Sequence, residues 1–286
     1  MFPQLIIPTI LPSNVFGSFA PSNRINIAVI GCGRQSVNPN IPQLLHSVNA
    51  NLTGVCDVDA WRLANAVKQV NEEYSKQRGT TYNGCKGYTD YHDIMQNKDI
   101  DAVMISLPDH WHVPMAIEAA RVGKHISLEK PISTCIEHGR KLVETIKKHK
   151  VITRNDSEFR TLPKFSRAVE LVRNGRIGKL QRIFVAVPAE LNGSALGPQP
   201  NMPVPEELNY DLWLGPAWEV PYTEKRVHAQ KAYGRPGWMR ISDYCNGMIS
   251  NWGAHLMGIA QWGHNTEYTG PVSIEGTGDF DKGLWN

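Results

Sequence analysis

Short β-rich runs alternate with helical patterns between residues 25 and 153, and this alternation restricts the fold more than any other feature of the chain. The run INIAVI, residues 25–30, is continuously apolar, as a parallel strand covered on both faces requires. It stops at Gly31-Cys32-Gly33-Arg34-Gln35-Ser36, and a helix is expected around residues 42–46. Further strands are expected at 52–56, 102–106, 125–128 and 151–153, with helices at 60–76 and 114–122 between them. Thr134 to Glu137 has capping-box spacing and should open another helix. On that helix Ile136, Leu142, Val143 and Ile146 are expected to face inward, with Arg140, Lys141, Glu144, Lys147 and Lys148 outward. Such β-α-β order implies a parallel sheet with right-handed crossovers. The fold class is therefore α/β, a doubly wound sheet over residues 24–155.

Beyond residue 155 the texture changes. A helix at 165–174 and a strand at 180–187 give way to a Pro/Gly-rich stretch over 188–221. Another helix is expected at 248–262 and a strand at 272–277. Six of the eight tryptophans lie beyond residue 210. We read 156–286 as a second, α+β domain with an open sheet and long loops, and loops of this length usually carry function.

The glycine loop supplies the first chemistry. A strand ending in Gly-x-Gly lets the backbone approach a pyrophosphate, while the next helix points its N-terminus at the anion. Ser36 stands at the third glycine position and is small enough to be tolerated there. Asp57 follows 24 residues beyond Gly33, at the end of the next strand. A carboxylate there accepts the ribose hydroxyls of NAD and repels the 2′-phosphate of NADP. Arg34 offsets part of that repulsion, so NAD is expected over NADP. Glu129-Lys130-Pro131 lies at the carboxyl end of another parallel strand, the edge where open α/β sheets bind ligands. Lys130 is placed there to donate a hydrogen bond or exchange a proton. By position alone, a solvated Glu-Lys turn explains the pair equally well.

Together these residues resemble the Gfo/Idh/MocA family, the glucose-fructose oxidoreductase and inositol dehydrogenase-like enzymes. The resemblance rests on Gly31-Cys32-Gly33, Asp57, Pro108-Asp109-His110-Trp111-His112 and above all Glu129-Lys130-Pro131. It continues through Ser157-Glu158-Phe159-Arg160, Arg173-Asn174-Gly175-Arg176-Ile177-Gly178, Trp213-Leu214-Gly215-Pro216 and Asn251-Trp252-Gly253-Ala254-His255. It implies a Rossmann NAD(P) domain, a second domain that supplies the substrate face, and redox chemistry on sugars, cyclitols or related polyols. Some relatives keep NAD bound and use it for redox-neutral glycoside chemistry. The resemblance places Gly31, Cys32, Gly33, Arg34, Gln35, Asp57, Leu107, Pro108, His110, His112, Glu129 and Lys130 at the cofactor. It makes Lys130 the catalytic group and sets the family's Asp-x-x-x-His pair on Asn251 and His255. Four-residue spacing keeps both on one helix face, but an amide cannot exchange a proton as a carboxylate does. The working scheme has a sugar hydroxyl give its proton to His255 while Lys130 steadies the oxygen and a hydride passes to the nicotinamide. Otherwise His255 is a satisfied helix histidine. Arg160, His228 and Trp238 are candidate substrate residues, although the tryptophans fit a core or an interface as well.

The remaining features mostly exclude. A net charge of +3 gives no reason to expect nucleic acid. Five cysteines without C-x-x-C spacing argue against a disulfide framework or zinc knuckle. His110-x-His112 lacks a third ligand at convincing spacing, so no metal is expected. With 41% hydrophobic residues the chain can bury a real core. Residues 1–23 carry no charge, and Pro3, Pro8, Pro12 and Pro21 forbid a spanning helix. They resemble the back end of an export signal, or an arm packed on the domain, which leaves cytoplasmic and exported locations open. The chain stops soon after the strand expected at 272–277, so the second domain is expected to be incomplete. A complete one would associate copies of the chain through its sheet. Three function classes remain: an oxidoreductase, a glycosidase that retains NAD, and a non-catalytic NAD-binding protein.

Overall fold

The computed structural model describes residues 23–187 and 199–278. The export-signal or arm reading of the N-terminus and the reading of the chain's last residues lie outside them. Six parallel strands form one sheet in the order β3-β2-β1-β4-β5-β6. They are β1 (Ile25–Ile30), β2 (Ala50–Cys56), β3 (Lys86–Tyr88), β4 (Ala102–Ile105), β5 (His125–Glu129) and β6 (Thr153–Asp156). The order reverses between β1 and β4, which creates the crevice where such sheets bind ligands.

Alternation along the strands builds two apolar layers. Ala28 and Ile30 of β1 join Val103, Ile105, Ile126 and Leu128 on one face. That face packs on α4 (Asp109–Arg121) and α5 (Ile136–His149) through Ala116, Ala119, Ala120 and Leu142. Val29 points the other way, with Leu52, Val55 and Met104, onto α1 (Ile41–Leu45) and α2 (Ala60–Arg78). Helix α2 is bounded by local chemistry. Asp59 accepts from the Arg62 N–H at 3.0 Å at one end, and Gly79 takes φ 66° at the other.

Several local expectations are corrected. Strand β3 and helix α3 (Tyr91–Gln96) were not foreseen, since three and six residues are too short for a periodic signal. Helix α4 begins at Asp109 rather than Pro114, so 109–112 form its first turn and Pro114 lies inside it. Cys135, not Thr134, precedes α5, and its side chain makes no cap hydrogen bond. The buried residues of α5 are Leu142 and Thr145, while Ile136 is 78% exposed and Val143 is also exposed. Strand β6 starts at Thr153 because α5 ends with Lys150 in the left-handed region.

Beyond β6 come a 3-10 turn (Glu158–Thr161), α6 (Pro163–Arg173), α7 (Tyr210–Leu214) and α8 (Gly247–Gly263). The strands expected at 180–187 and 272–277 do not form among the described residues. Phe184, Val272 and Ile274 stand exposed, and no described strand pairs with either segment. An aromatic cluster of Tyr210, Trp213, Tyr222 and Tyr244 with Leu208, Val227 and Ile241 forms the core of this region. No described helix is long and apolar enough to cross a membrane.

Candidate active site

The strand ends of β1, β2, β4 and β5 open into one cavity that runs from the glycine loop to α8. At the glycine end, Gly31 has φ 94°, and a Cβ there would overlap the carbonyl oxygen of Ser106. Only glycine suits that turn. Gly33 differs: nothing lies within 4 Å of where its Cβ would stand, so the backbone is bare toward the cavity. The Ser36 hydroxyl donates to the Gly31 carbonyl, so the departure from a third glycine ties the turn rather than loosening it. The chain becomes helical immediately afterwards, with a π-helical turn over Ser36–Asn40. A bare glycine facing a helix start is the cradle a pyrophosphate needs, so these residues fit a dinucleotide.

Asp57 is fixed by two backbone groups: Cys32 N–H donates to Oδ2 at 2.6 Å and Asp59 N–H to Oδ1 at 2.8 Å. Burial raises the Asp57 carboxyl above its ordinary value, and those N–H groups and the charges of His228 and Arg62 offset only part of that rise. Arg34 and Gln35 line the cavity nearby. Cys32 enters only through its backbone. Its thiol is buried against the Cys56 carbonyl, and burial raises it well above the ordinary thiol range.

Toward the other end, Leu107 and Pro108 line the wall, as expected. His110 and His112 do not line it, which corrects their expected contact with a cofactor. His110 packs among Trp111, Trp213 and Tyr244, and burial pushes its imidazole down to about 4. His112 is buried beneath the loop, its ring nitrogens 2.6 Å from the Pro131 carbonyl and 2.9 Å from that of Leu107. No group of three or more His, Cys, Asp or Glu that could hold a metal occurs among the described residues.

Glu129 is buried and engaged by Gln35 at 3.0 Å and Asn40 at 3.1 Å. Lys130, the other member of the pair, reaches across the cavity instead. Its Nζ donates to Asn251 Oδ1 at 3.0 Å, joining the loop after β5 to α8 across the cavity. One turn along α8, His255 is buried and stacks on Phe159 with ring centroids 4.5 Å apart. Burial, then the Lys130 charge, push its imidazole down to about 4, and its Nδ1 has no hydrogen-bond partner. Lys130, Asn251 and His255, all expected from the sequence, thus meet in one place.

The expected substrate residues divide. Trp238 lines the cavity. His228 lines it too, but at the Asp57 end, where its Nε2 lies 2.9 Å from Asp59 Oδ2. Arg160 is turned away, paired with Glu267 at 2.6 Å and bonded to the Gly258 carbonyl, so it is no anion binder in the cavity. Residues not foreseen for the site include Phe159, Arg62 and Asp109, all in the cavity wall. A capped start, Asp59-x-x-Arg62, was the one sequence signal available for Arg62.

Comparison with known proteins finds relatives of both regions. A family model described as an oxidoreductase family with NAD-binding Rossmann fold matches residues 25–157. The C-terminal alpha/beta domain of the same family matches 191–282. A glycosyl hydrolase family 109 protein from Shewanella sp. (strain ANA-3) is 32% identical over 139 residues, 48% of this chain and 30% of that protein. The chain thus matches under a third of that curated relative's length. An apo scyllo-inositol dehydrogenase from Lactobacillus casei superposes with a TM-score of 0.46 at 26% identity, over 55% of this chain and 43% of that one. A 3-ketoreductase from Actinomadura kijaniata, in complex with NADP and TDP-benzene, gives 0.46 at 21% identity over 54% and 43%. The two matched domains of one family together span most of the chain, and the chain belongs to the Gfo/Idh/MocA oxidoreductase family.

Proposed function

We propose that the protein is an NAD-dependent oxidoreductase acting on the CH–OH carbon of a sugar, cyclitol or related polyol. The observation that carries this reading is the Lys130–Asn251–His255 group in the same cavity as the glycine turn and Asp57. When bound, the nicotinamide supplies the hydride acceptor or donor. The chain's own residues handle the proton. Lys130 donates a hydrogen bond to the substrate oxygen, and Asn251 fixes the ammonium by accepting from it. His255, neutral at physiological pH and unpartnered at Nδ1, takes the hydroxyl proton. Asp57, its two oxygens aligned by backbone N–H groups, favours the ribose hydroxyls of NAD over the 2′-phosphate of NADP.

A second reading, a glycosidase that retains its NAD, is favoured by one feature. The segment carrying His228, Ala229 and Ala232 is anchored over the Asp57 end by the His228–Asp59 contact and by Arg62, which donates to both alanine carbonyls. A cofactor enclosed there would exchange slowly, which suits redox-neutral chemistry and the name borne by the Shewanella relative.

The deciding experiment sets a panel of polyols, read at the reduced-nicotinamide band, beside a panel of chromogenic glycosides. Lys130→Met and His255→Ala should each lower turnover by about a hundredfold or more while the folded protein persists. Unchanged rates in both variants would end the assignment. Protonated His255 cannot accept a proton, so kcat/KM should stay level from neutrality downward and fall only near pH 4. A fall centred near the ordinary histidine value would remove His255 as the acceptor.

A further inference from the structure

A histidine that takes a proton must hold its ring at one angle, and in the hydrolase triads a hydrogen bond to a carboxylate does this. His255 is held differently. Its Nδ1 is buried without a partner, and burial and the Lys130 charge alone shift the imidazole. Aromatic rings surround it instead. Phe159 stacks on it with centroids 4.5 Å apart and planes 20° from parallel, and Trp252 stands edge-on at 6.2 Å. Phe159 is itself held. It stacks on Phe165 of α6 at 4.9 Å and 13°, and it meets the Trp252 ring edge-on at 6.1 Å.

The next residue fixes the 3-10 turn in place. Arg160 donates to the Gly258 carbonyl at 3.1 Å and to Glu267 at 2.6 Å, and its guanidinium lies 5.6 Å from the centre of the Trp262 ring. Glu267 also reaches Arg173 at the end of α6, at 3.7 Å. Asn251, His255, Gly258 and Trp262 recur at helical spacing along one face of α8. The turn therefore grips the same stripe that carries the two site residues, Phe159 at the imidazole and Arg160 further along the helix.

We propose that Phe159 is a positioning residue: stacked on His255 and locked to α8 through Arg160, it sets the angle at which the imidazole meets the substrate hydroxyl. The proposal rests on the reading that His255 takes the hydroxyl proton. Stacking fixes the plane of the ring without occupying either nitrogen, so the proton site stays open. Arg160 gains a part as well, as the anchor of the turn rather than a binder of substrate.

Three-bond couplings across χ1 of His255, read on the free, isotope-labelled protein, report whether the side chain keeps one staggered rotamer. The wild type should show one. Phe159→Leu keeps apolar bulk but loses the flat face, so its couplings should average between rotamers, whereas Phe159→Tyr should restore the single one. With a competent polyol, Phe159→Leu should lower kcat about tenfold while KM changes by less than about twofold, because binding survives and alignment does not. Phe159→Tyr should recover most of that rate. Should Phe159→Leu fail to fold, Arg160→Gln decides: the ring remains but its anchor is gone, and the His255 couplings should average in the same way. A single rotamer in the folded variant would overturn the proposal. So would averaged couplings with an unchanged kcat, or a tyrosine variant that behaves like the leucine one. Because the couplings need neither substrate nor cofactor, absence of polyol turnover sinks the functional reading and leaves them interpretable. Turnover with an undisturbed His255 in Phe159→Leu sinks only this inference.

Discussion

The two regions of the chain hold their site residues by different means. Gly31, Asp57 and Lys130 sit at or just beyond the ends of β1, β2 and β5, within a ladder of main-chain hydrogen bonds clamped between two apolar layers. Asn251, His255 and His228 have no such ladder among the described residues. Their region is joined to the first by discrete contacts. Ala60 N–H donates to the Glu207 carbonyl at 2.8 Å, Asn209 N–H to that of Val58 at 2.9 Å, and Asp59 pairs with Leu208 as an isolated bridge. Lys130–Asn251 and Asp59–His228 complete the seam. A sheet fixes positions cooperatively, whereas point contacts can be removed one at a time. Mutations in the first region should therefore act on the whole fold, and mutations along the seam on the fit between regions.

The largest effect is expected at Gly31. Alanine there must adopt a left-handed backbone and overlap the Ser106 carbonyl, which belongs to the strand end facing the loop. Conformational strain and overpacking together should cost about 3–5 kcal/mol. Urea denaturation should show the loss as a lower midpoint, and calorimetry should show dinucleotide binding lost with it. Near-wild-type stability in Gly31→Ala would mean that the turn is not as rigid as its ladder implies.

His228→Ala probes the seam. Asp59 is fully buried, and burial opposes its ionisation, yet the His228 bond, the Arg62 N–H and both nearby charges win and hold it below the usual carboxylate range. Removing the imidazole leaves that carboxylate with Arg62 at 3.9 Å and should cost about 2–3 kcal/mol. The sharper readout is release of bound NAD, which should quicken several-fold as the 228–236 segment loosens, while Lys130 stays in place. Equal release rates would weaken the retained-cofactor reading and leave the oxidoreductase one untouched.

The same contrast explains what could be read from the chain before its structure. Gly31, Asp57 and Lys130 were legible because strand ends are marked locally, by an apolar run that stops at glycine or at a charge. Asn251 and His255 were legible through their spacing on one helix. Arg160 was misplaced because its partner Glu267 lies 107 residues away and leaves no local trace. Helix α4 was begun late because a proline usually sits in the first turn, whereas here Pro114 lies well inside. The strands expected at 180–187 and 272–277 show a related error. Their composition is strand-like, but a strand also needs a partner, and pairing is not a local property.

Those two segments yield the smallest expected effect. Phe184 is 89% exposed, Val272 106% and Ile274 83%, against the fully buried Val29 and Ile105 of the sheet. Side chains that already face water lose no burial when made polar, so Phe184→Ser and Val272→Thr should each change stability by no more than about 0.5 kcal/mol. Chemical denaturation at two protein concentrations gives the check. A loss of about 1.5 kcal/mol or more that is the same at both concentrations would mean these residues pack within the chain, erasing the contrast between the regions. A loss that appears only at the higher concentration would instead locate them in a contact between copies, because only an associated state gains stability with concentration. In that case the second region would owe part of its order to a neighbouring copy, whereas the first is ordered by its own ladder.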